Sequence, residues 1–268
     1  MSAVSVLEPG QLRSEFSEED WFGIYLDHAR GDRTDLVPFP AEDIQIITNN
    51  IKGEQTGHAA IAIWKTMFQS VMEIARPDPS WNILDYGCGW GRMTRLLPYY
   101  FESEGIYGVD VDPRLIESAN SCLPTLTHDV IKSMGELPYR DASFDLIFAN
   151  SVFSHLSEPS AVFTLGELAR ILKPGGVLLI SVLQQKTLDS YYQNEGTRSW
   201  ITTIIGDRAE AVATFEEQGF VWGDTRRWDN YGIAIISDAW IGRTFSEIGL
   251  EPAASSVGSQ SYKLAVKL

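Results

Sequence analysis

The chain has 268 residues, of which 44% are hydrophobic and 21% are charged, the balance of an ordinary globular protein. Its 21 basic and 36 acidic residues give a formal net charge of -15, and no basic block offsets it. This balance argues against a surface that neutralises phosphates, so no nucleic-acid partner and no anionic membrane partner are expected. No apolar run approaches the roughly 20 residues that cross a bilayer, so no membrane span is expected.

The amino terminus and the cysteines bear on the compartment. The first residues lack the basic start and apolar stretch of a secretory signal. Two cysteines, Cys88 and Cys122, are too few for a disulfide framework and do not have zinc-ligand spacing. A reducing, cytoplasmic location is therefore expected, with monomer and homodimer both open.

Residues 1–81 are interpreted as an N-terminal cap. Within the cap, residues 58–75 predict an amphipathic helix that packs on the sheet domain, because its large apolar residues recur close to one stripe. The residues of this stripe are Ile61, Trp64, Phe68, Val71 and Met72.

Residues 82–183 predict the core of a doubly wound, mostly parallel sheet, since short β-branched runs alternate there with helical stretches. The expected strands are 83–86, 106–110, 126–128, 144–150 and 177–183. The expected helices are 93–100, 114–121 and 161–172. The last helix should end at Lys173-Pro174-Gly175-Gly176, which cannot continue a helix.

The remaining sequence is expected to complete one α/β, Rossmann-like domain with a seven-stranded sheet. A helix at 238–250 and strands at 251–257 and 261–268 follow the core pattern, with the last strand antiparallel. The stretch 184–237 is interpreted as an insertion over the carboxyl edge of the sheet, where open α/β proteins usually bind ligands. We therefore expect it to form a lid over an acceptor.

A glycine-rich turn after the first strand is the most informative stretch. The strand leads into Gly87, Gly89 and Gly91 and then into a helix, so the backbone can approach a ligand where a Cβ atom would collide. Arg92 stands where the dinucleotide pattern Gly-x-Gly-x-x-Gly needs its third glycine. The carboxylate of Asp85, before the turn, suits a ligand with an ammonium group.

An acidic residue also ends the second predicted strand. Asp110 lies about 20 residues after the glycine turn, where a carboxylate can accept hydrogen bonds from both ribose hydroxyls. It supports an adenosine ligand without choosing which one.

Four segments, in this order, resemble the class I S-adenosylmethionine-dependent methyltransferases. They are residues 84–92 (LDYGCGWGR), 108–113 (GVDVDP), 137–147 (LPYRDASFDLI) and 172–178 (LKPGGVL). A weaker resemblance to methyltransferases associated with glycan biosynthesis lies in residues 39–45, 228–234 and 237–241. The resemblance implies S-adenosyl-L-methionine as cofactor and S-adenosyl-L-homocysteine as product.

The resemblance also implies which residues line the cofactor. Asp85, Gly87 and Gly89 would line its methionine part, together with the backbone of Cys88. Arg92 would reach its carboxylate, with a structural salt bridge as the alternative.

At the adenosine end, the resemblance assigns the ribose hydroxyls to Asp110 and one side of the adenine to Val111. His128-Asp129-Val130 matches the place where an acidic residue meets the adenine amino group, which assigns Asp129 and Val130 to the site. Asn150 would lie near the sulfonium.

The catalytic base is a separate question, because a hydroxyl acceptor must lose its proton. His155 resembles the histidine common after the fourth strand in small-molecule methyltransferases, and its ordinary pKa fits the task. The alternative is that His155 packs against the next helix and bonds a backbone carbonyl. Asp229 and Asp238 are rival bases or metal ligands, or solvated loop carboxylates, and the metal requirement stays open. His28 is expected on the surface.

The predicted lid is rich in aromatic residues, which suit sugar rings or planar acceptors but can also form the lid's own small core. The candidate acceptor residues are Tyr191, Tyr192, Trp200, Trp228 and Tyr231. After the fourth strand the chain lacks the Asn/Asp-Pro-Pro-aromatic motif of enzymes that methylate nucleic-acid amino groups, so base methylation is not expected.

Methyl transfer to a hydroxyl of a saccharide or glycan intermediate is the function that these features favour. O- or N-methylation of an aromatic or other small metabolite is the main alternative. A nicotinamide-dependent oxidoreductase and a non-catalytic methyltransferase-like subunit are further alternatives, and Arg92 in the glycine turn argues against the oxidoreductase.

Overall fold

A computed structural model describes residues 9–226, 231–257 and 260–268. In the described part of the chain no helix is long and apolar enough to cross a membrane. The helices are α1 (Pro9–Glu15), α2 (Glu18–Arg30), α3 (Glu42–Asn49), α4 (Gly53–Ile74), α5 (Pro113–Cys122), α6 (Glu158–Ile171), α7 (Gln185–Gln193), α8 (Glu195–Ile205), α9 (Arg208–Gln218) and α10 (Asp238–Glu247).

Within the described ranges, seven strands form one sheet and two form a separate ribbon. The strands are β1 (Ile83–Tyr86), β2 (Ile106–Asp110), β3 (Thr127–Val130), β4 (Phe144–Ala149), β5 (Leu172–Val182), β6 (Phe220–Asp224), β7 (Gly232–Ile236), β8 (Leu250–Val257) and β9 (Ser261–Lys267). The sheet order is β3-β2-β1-β4-β5-β9-β8, while β6 pairs with β7. β1, β2 and β3 pair in parallel, and β9 is antiparallel to both β5 and β8. The predicted α/β fold, with its last strand antiparallel, is confirmed.

The chain divides into two compact units, one made of Met1–Ile131 with Phe144–Leu146 and the other of Lys132–Ser143 with Ile147–Leu268. The first unit holds β1 to β3 and the five helices α1 to α5. The second holds β5 to β9 and the helices α6 to α10. The division falls inside β4.

In the first unit, α4 is the predicted amphipathic helix, but it begins five residues before residue 58, at Gly53. A Cβ atom on Gly57 would meet Ala29 Cβ and Leu26 Cδ2 at 2.9 Å. Glycine therefore lets α4 approach α2 closely. Met72 was predicted on the buried stripe, but it is 53% exposed.

Two further expectations in this unit are wrong. Residues 93–100 do not form an α-helix but a 3₁₀ segment over Thr94–Tyr99, which contains Pro98, a residue without the N–H that an α-helix needs. His28 is buried with Trp21 and Tyr25 on one stripe of α2, an element that was not predicted. Its Nδ1–H donates to the carbonyl of Arg33 at 2.9 Å.

In the second unit, the stretch between β5 and α10 is a packed substructure with a hydrophobic core of its own. It contains α7, α8, α9 and the ribbon β6–β7, none of which was predicted. The core residues are Leu183, Leu188, Tyr192, Ile201, Ala211, Phe215, Val221, Ile233 and Ile235. These buried side chains fix the geometry of the stretch.

Gly108 in β2 provides a test of how tightly the first unit is packed. A Cβ atom there would meet His128 Cδ2 at 2.7 Å and Cys88 Sγ at 2.9 Å. Gly108→Ala should lower the free energy of unfolding by about 1–3 kcal/mol through overpacking. Thermal or urea unfolding measures this change.

Gly166→Ala is the matched control, because a Cβ atom at Gly166 in α6 has nothing within 4 Å. That substitution should be neutral or stabilise by about 0.5–1 kcal/mol through helix propensity. Equal stabilities for the two variants would contradict the packing at Gly108.

Candidate functional site

The glycine turn joins β1 to the 3₁₀ segment, and its three glycines have left-handed φ angles. Gly87, Gly89 and Gly91 have φ angles of 76°, 57° and 78°, which glycine adopts without the steric cost of a side chain. The N–H groups of Gly87 and Cys88 both donate to the carbonyl of Val109, at 2.8 and 2.9 Å. Strand β2 therefore fixes the start of the turn.

Asp110, at the end of β2, ties the same turn through its side chain. Its Oδ2 accepts the N–H of Gly89 at 2.9 Å, and its Oδ1 accepts the N–H of Asp112 at 2.9 Å. Burial raises the pKa of Asp110, although the two backbone N–H groups act in the opposite direction. Each carboxylate oxygen has further acceptor capacity for a ligand hydroxyl.

Asp85, in the neighbouring strand β1, is a second buried acid. It is 3% exposed, and its Oδ2 accepts the hydroxyl of Thr94 at 2.6 Å. Burial raises its pKa to about 7, and the charge of Asp110 adds to the effect while Arg92 opposes it. Two acids that disfavour each other's ionisation are thus brought together beside the glycine turn.

This arrangement fits S-adenosylmethionine as the ligand. The ammonium group of the cofactor can compensate the buried carboxylate of Asp85, and its two ribose hydroxyls can donate to the carboxylate of Asp110. At Gly89, a Cβ atom would lie 2.9 Å from Thr48 Cγ2, so glycine at this position lets the N-terminal part of the chain approach the turn closely. The predicted residues Asp85, Gly87 to Gly89 and Asp110 therefore form one cluster.

The carboxyl ends of β2 and β3 carry the predicted adenine residues. Asp110 and Val130 are register partners, and so are Val109 and Asp129. Val111 and Val130 are 55% and 51% exposed, so the two valines leave apolar surface at the carboxyl ends of β2 and β3.

His128, just before the predicted adenine residues, faces the interior. It is 5% exposed, and within the described residues neither ring nitrogen has a hydrogen-bond partner. Burial and, to a smaller extent, the positive charge of Arg95 together lower its pKa to about 4. The ring is therefore neutral and packs behind the site.

Arg92 and Arg95 follow the turn, and they have different surroundings. The carbonyl of Arg92 accepts the hydroxyl of Tyr25 at 2.8 Å, and its charge stabilises the ionised form of Asp85. Arg95 was missed in the sequence, although it is fully buried with its guanidinium over the rings of Phe39 and Trp90. A basic residue in a predicted helix next to the turn gave no sign of burial.

The second unit holds Asn150 and the residues that follow it. Asn150 comes directly after β4, and Ser151 has a φ of 60°, a left-handed conformation that is uncommon outside glycine. The N–H of Ser151 donates to Ser181 Oγ at 2.6 Å, and its own Oγ accepts from Gln260 Nε2 at 2.7 Å. These bonds hold the strained turn in place.

His155 lies in the same segment with a defined tautomer. Its Nδ1 is 2.8 Å from the carbonyl of Gly232, and because a carbonyl only accepts, Nδ1 carries the proton and Nε2 the lone pair. The ring stacks on Tyr231 at 4.3 Å, and burial lowers its pKa. The carbonyl of His155 accepts Trp222 Nε1 at 3.1 Å and the N–H of Gly232 at 2.8 Å. His155 thus bonds a backbone carbonyl, as the alternative expected, and also keeps a basic nitrogen.

Of the two acidic residues proposed as alternative bases or metal ligands, only Asp238 lies within the described residues. Asp238 begins α10, where its carboxylate pairs with Lys263 Nζ at 2.7 Å and accepts from Gln184 Nε2. Asp229 lies outside the described residues. Across the described ranges, no group of three or more His, Cys, Asp or Glu residues could hold a metal ion.

The aromatic residues predicted to bind the acceptor differ in burial. Tyr192 belongs to the hydrophobic core of the insertion, and its hydroxyl donates to the carbonyl of Gly206 at 2.7 Å. Tyr191 packs on that core and meets Trp200 edge-on at 5.7 Å, while Trp200 is 43% exposed. Trp228 lies outside the described residues. Trp200 is therefore the candidate among these with an exposed ring.

Comparison with known proteins identifies the core. The family described as "Methyltransferase domain" matches residues 84–180. A malonyl-[acyl-carrier protein] O-methyltransferase from Hahella chejuensis is 33% identical over 125 residues, which cover 46% of this chain and 44% of the relative. A trans-aconitate 2-methyltransferase from Azoarcus sp. is 33% identical over 135 residues, which cover 50% and 52%. The chain thus spans about half the length of the curated relatives it matches.

Solved structures agree at the level of the fold. The PH0226 protein from Pyrococcus horikoshii superposes with a TM-score of 0.58 at 17% identity, covering 86% of this chain and 100% of the other. A SAM-dependent methyltransferase from Methanosarcina mazei has a TM-score of 0.54 at 16% identity, with coverages of 74% and 96%. Residues 84–180 thus match the methyltransferase-domain family, and the chain shares its fold with these two solved structures.

Proposed function

We propose that the protein transfers a methyl group from S-adenosylmethionine to an oxygen atom of a small acceptor, with a saccharide or glycan-intermediate hydroxyl as the first candidate. The observation that carries methyl transfer is the glycine turn with Asp85 and Asp110 beside it. The methyltransferase-domain match over residues 84–180 supports this chemistry over a nicotinamide-dependent oxidoreductase.

The chain's own residues have separable tasks in this proposal. S-adenosylmethionine supplies a methyl group activated by a sulfonium. Asp110 binds the ribose hydroxyls and Asp85 the ammonium group, while the exposed valines Val111 and Val130 flank the adenine. Catalysis then rests mainly on alignment of acceptor and methyl group, and proximity of this kind can supply several kcal/mol.

His155 is the proposed general base for a hydroxyl acceptor. The Gly232 carbonyl holds the proton on Nδ1, so Nε2 is the nitrogen that takes the acceptor's proton. Burial lowers the pKa of His155, which keeps the ring neutral and able to accept at neutral pH. Asp238 is a weaker candidate because its carboxylate is already paired with Lys263.

A carboxylate acceptor is the second candidate, favoured by the relatives. Malonyl-[acyl-carrier protein] O-methyltransferase and trans-aconitate 2-methyltransferase are named for acceptors that carry carboxyl groups. A carboxylate is already ionised at neutral pH, so its methylation needs no general base. Dependence on His155 therefore distinguishes the two acceptor classes.

Asp110→Asn tests the ribose contact. The substitution removes charge-assisted hydrogen bonds worth about 1.5–3 kcal/mol each, so affinity for S-adenosylhomocysteine should fall more than about tenfold. Isothermal titration calorimetry measures the change. The control is Asp112→Asn, because Asp112 caps α5 and an asparagine caps equally well, so its affinity should match the wild type. Unchanged binding by Asp110→Asn would refute the ribose assignment.

Asp85 should make cofactor binding depend on pH. Its pKa of about 7 means that the carboxyl loses its charge as pH falls from 8 to 6, so wild-type affinity for S-adenosylhomocysteine should weaken over this range. Asp85→Asn should bind weakly at both pH values with a much smaller pH dependence. Titrations at pH 6 and 8 test this, and equal pH dependence in both proteins would contradict it.

Asp85→Asn, which should weaken cofactor binding, should instead stabilise the ligand-free protein. A carboxyl whose folded pKa lies above its unfolded value loses stabilisation as pH rises from about 4 through 7. At pH 8 the wild type buries an ionised carboxylate, so Asp85→Asn should raise Tm by about 2 °C or more.

Transfer of a labelled methyl group to three acceptor pools tests the function itself. The pools are oligosaccharides, small carboxylic acids, and phenols and amines, each with and without EDTA. Transfer of label to the saccharide pool, at a rate that is at least about 100-fold lower in His155→Asn than in the wild type, would support both the hydroxyl acceptor and the role of His155 as base. Label in the acid pool that survives His155→Asn would favour the carboxylate acceptor. Cofactor binding without transfer to any pool would favour a non-catalytic subunit.

A further inference from the structure

The N-terminal segment Val37–Thr48 lies directly on the glycine turn of the first unit. A Cβ atom on Gly89 would meet Thr48 Cγ2 at 2.9 Å, so the methyl group of Thr48 occupies the space beside that glycine. The indole Nε1–H of Trp90 donates to Thr48 Oγ1 at 3.2 Å. Helix α3 therefore contacts the turn through both groups of one side chain.

Arg95 joins the same two parts of the chain. Its guanidinium lies 4.8 Å from the ring centre of Phe39 and 4.6 Å from that of Trp90. Its Nη2 is 3.3 Å from the carbonyl oxygens of both Pro38 and Trp90. Arg95 thus contacts one ring and one carbonyl of the N-terminal segment, and also one ring and one carbonyl of the glycine turn.

Burial of this guanidinium is costly, which argues against a role in stability alone. Arg95 has no exposed surface, and within the described residues its Nε and Nη1 have no hydrogen-bond partner. Burial lowers its pKa to about 10. An apolar side chain would fill such a space without that desolvation penalty, whereas it would not hold two carbonyls and two rings at once.

Neighbouring contacts hold the segment from its other side. The Gln45 amide spans from the carbonyl of Pro40 to the N–H of Gly53, at 2.8 Å each. Tyr25 meets Phe39 edge-on at 5.1 Å and donates its hydroxyl to the carbonyl of Arg92. The segment is therefore anchored to α2 and α4 as well as to the turn.

We propose that Arg95 is a positioning residue of the cofactor site, which holds the N-terminal segment against the glycine turn so that Thr48 forms a wall beside Gly89. The proposal rests on the proposed function, because the wall matters only if the turn binds S-adenosylmethionine. It implies that the affinity for the cofactor depends on α3, and that bound cofactor orders the segment further.

Thr48→Val is the central variant, because it keeps a branched side chain and removes the acceptor of the Trp90 N–H. Arg95→Lys keeps the positive charge and removes the planar fork. Both variants should raise the Kd for S-adenosylhomocysteine about 3–10-fold, a loss comparable to one neutral hydrogen bond. They should raise KM for S-adenosylmethionine by a similar factor and leave kcat at saturating cofactor within about twofold.

The matched control is Thr66→Val, because Thr66 in α4 bonds the carbonyl of Ala62 within its own helix. Its Kd should equal that of the wild type. Hydrogen exchange provides a second measurement: S-adenosylhomocysteine should slow exchange of amides 37–50 in the wild type, and this protection should shrink in Arg95→Lys.

The outcomes separate the inference from the proposed function. A wild type that binds no S-adenosylhomocysteine would overturn the proposed function. A wild type that binds, with a Thr48→Val Kd equal to that of Thr66→Val and no cofactor-dependent protection of amides 37–50, would overturn the role of Arg95 and Thr48. If Arg95→Lys does not fold, Thr48→Val and the wild-type exchange data decide.

Discussion

The hydrogen bonds between strand β2 and the glycine turn are the constraint on which the rest of the site depends. One carbonyl, that of Val109, accepts two successive N–H groups of the turn, and the carboxylate of the next residue, Asp110, accepts a third. The N–H of the last glycine, Gly91, is satisfied within the turn, by the carbonyl of Cys88 at 3.0 Å. Strand β2 therefore fixes the turn from Gly87 to Gly89, directly before the indole of Trp90.

The formal net charge of -15 does not reveal that this site contains a buried acidic group. Most acidic residues of the described chain are exposed, whereas Asp85 is buried in a place that raises its pKa. Such a group destabilises the ligand-free protein when it is ionised, and a cation that binds beside it recovers that cost. In the proposed function, the protein thus gives up part of its stability to hold a site that is complementary to the ammonium group of its cofactor.

Much of the fold could be predicted because the core obeys local rules. The strands β1 and β2 have the predicted bounds, since β-branched runs end there at glycine or at acidic residues. The clustering of Asp85, the turn glycines and Asp110 could be predicted because these residues are close in sequence. Arg95, Thr48 and Phe39 could not be, because their importance comes from contacts between residues far apart in the chain. The structure of the insertion could not be predicted either, because its core joins residues of α7, α8, α9, β6 and β7 through side-chain packing.

The hydrogen bonds around His155 have a consequence for how acceptor preference can change. The insertion supplies the carbonyl that sets the tautomer of the ring, the tyrosine on which it stacks and the indole that fixes its backbone, from Gly232, Tyr231 and Trp222. A mutation that reshapes the insertion for a new acceptor therefore also moves this histidine. With His155 as the proposed base, a change of acceptor preference would therefore also change the geometry of proton transfer, so exchange of the whole insertion should preserve the proposed function better than exchange of its residues one at a time.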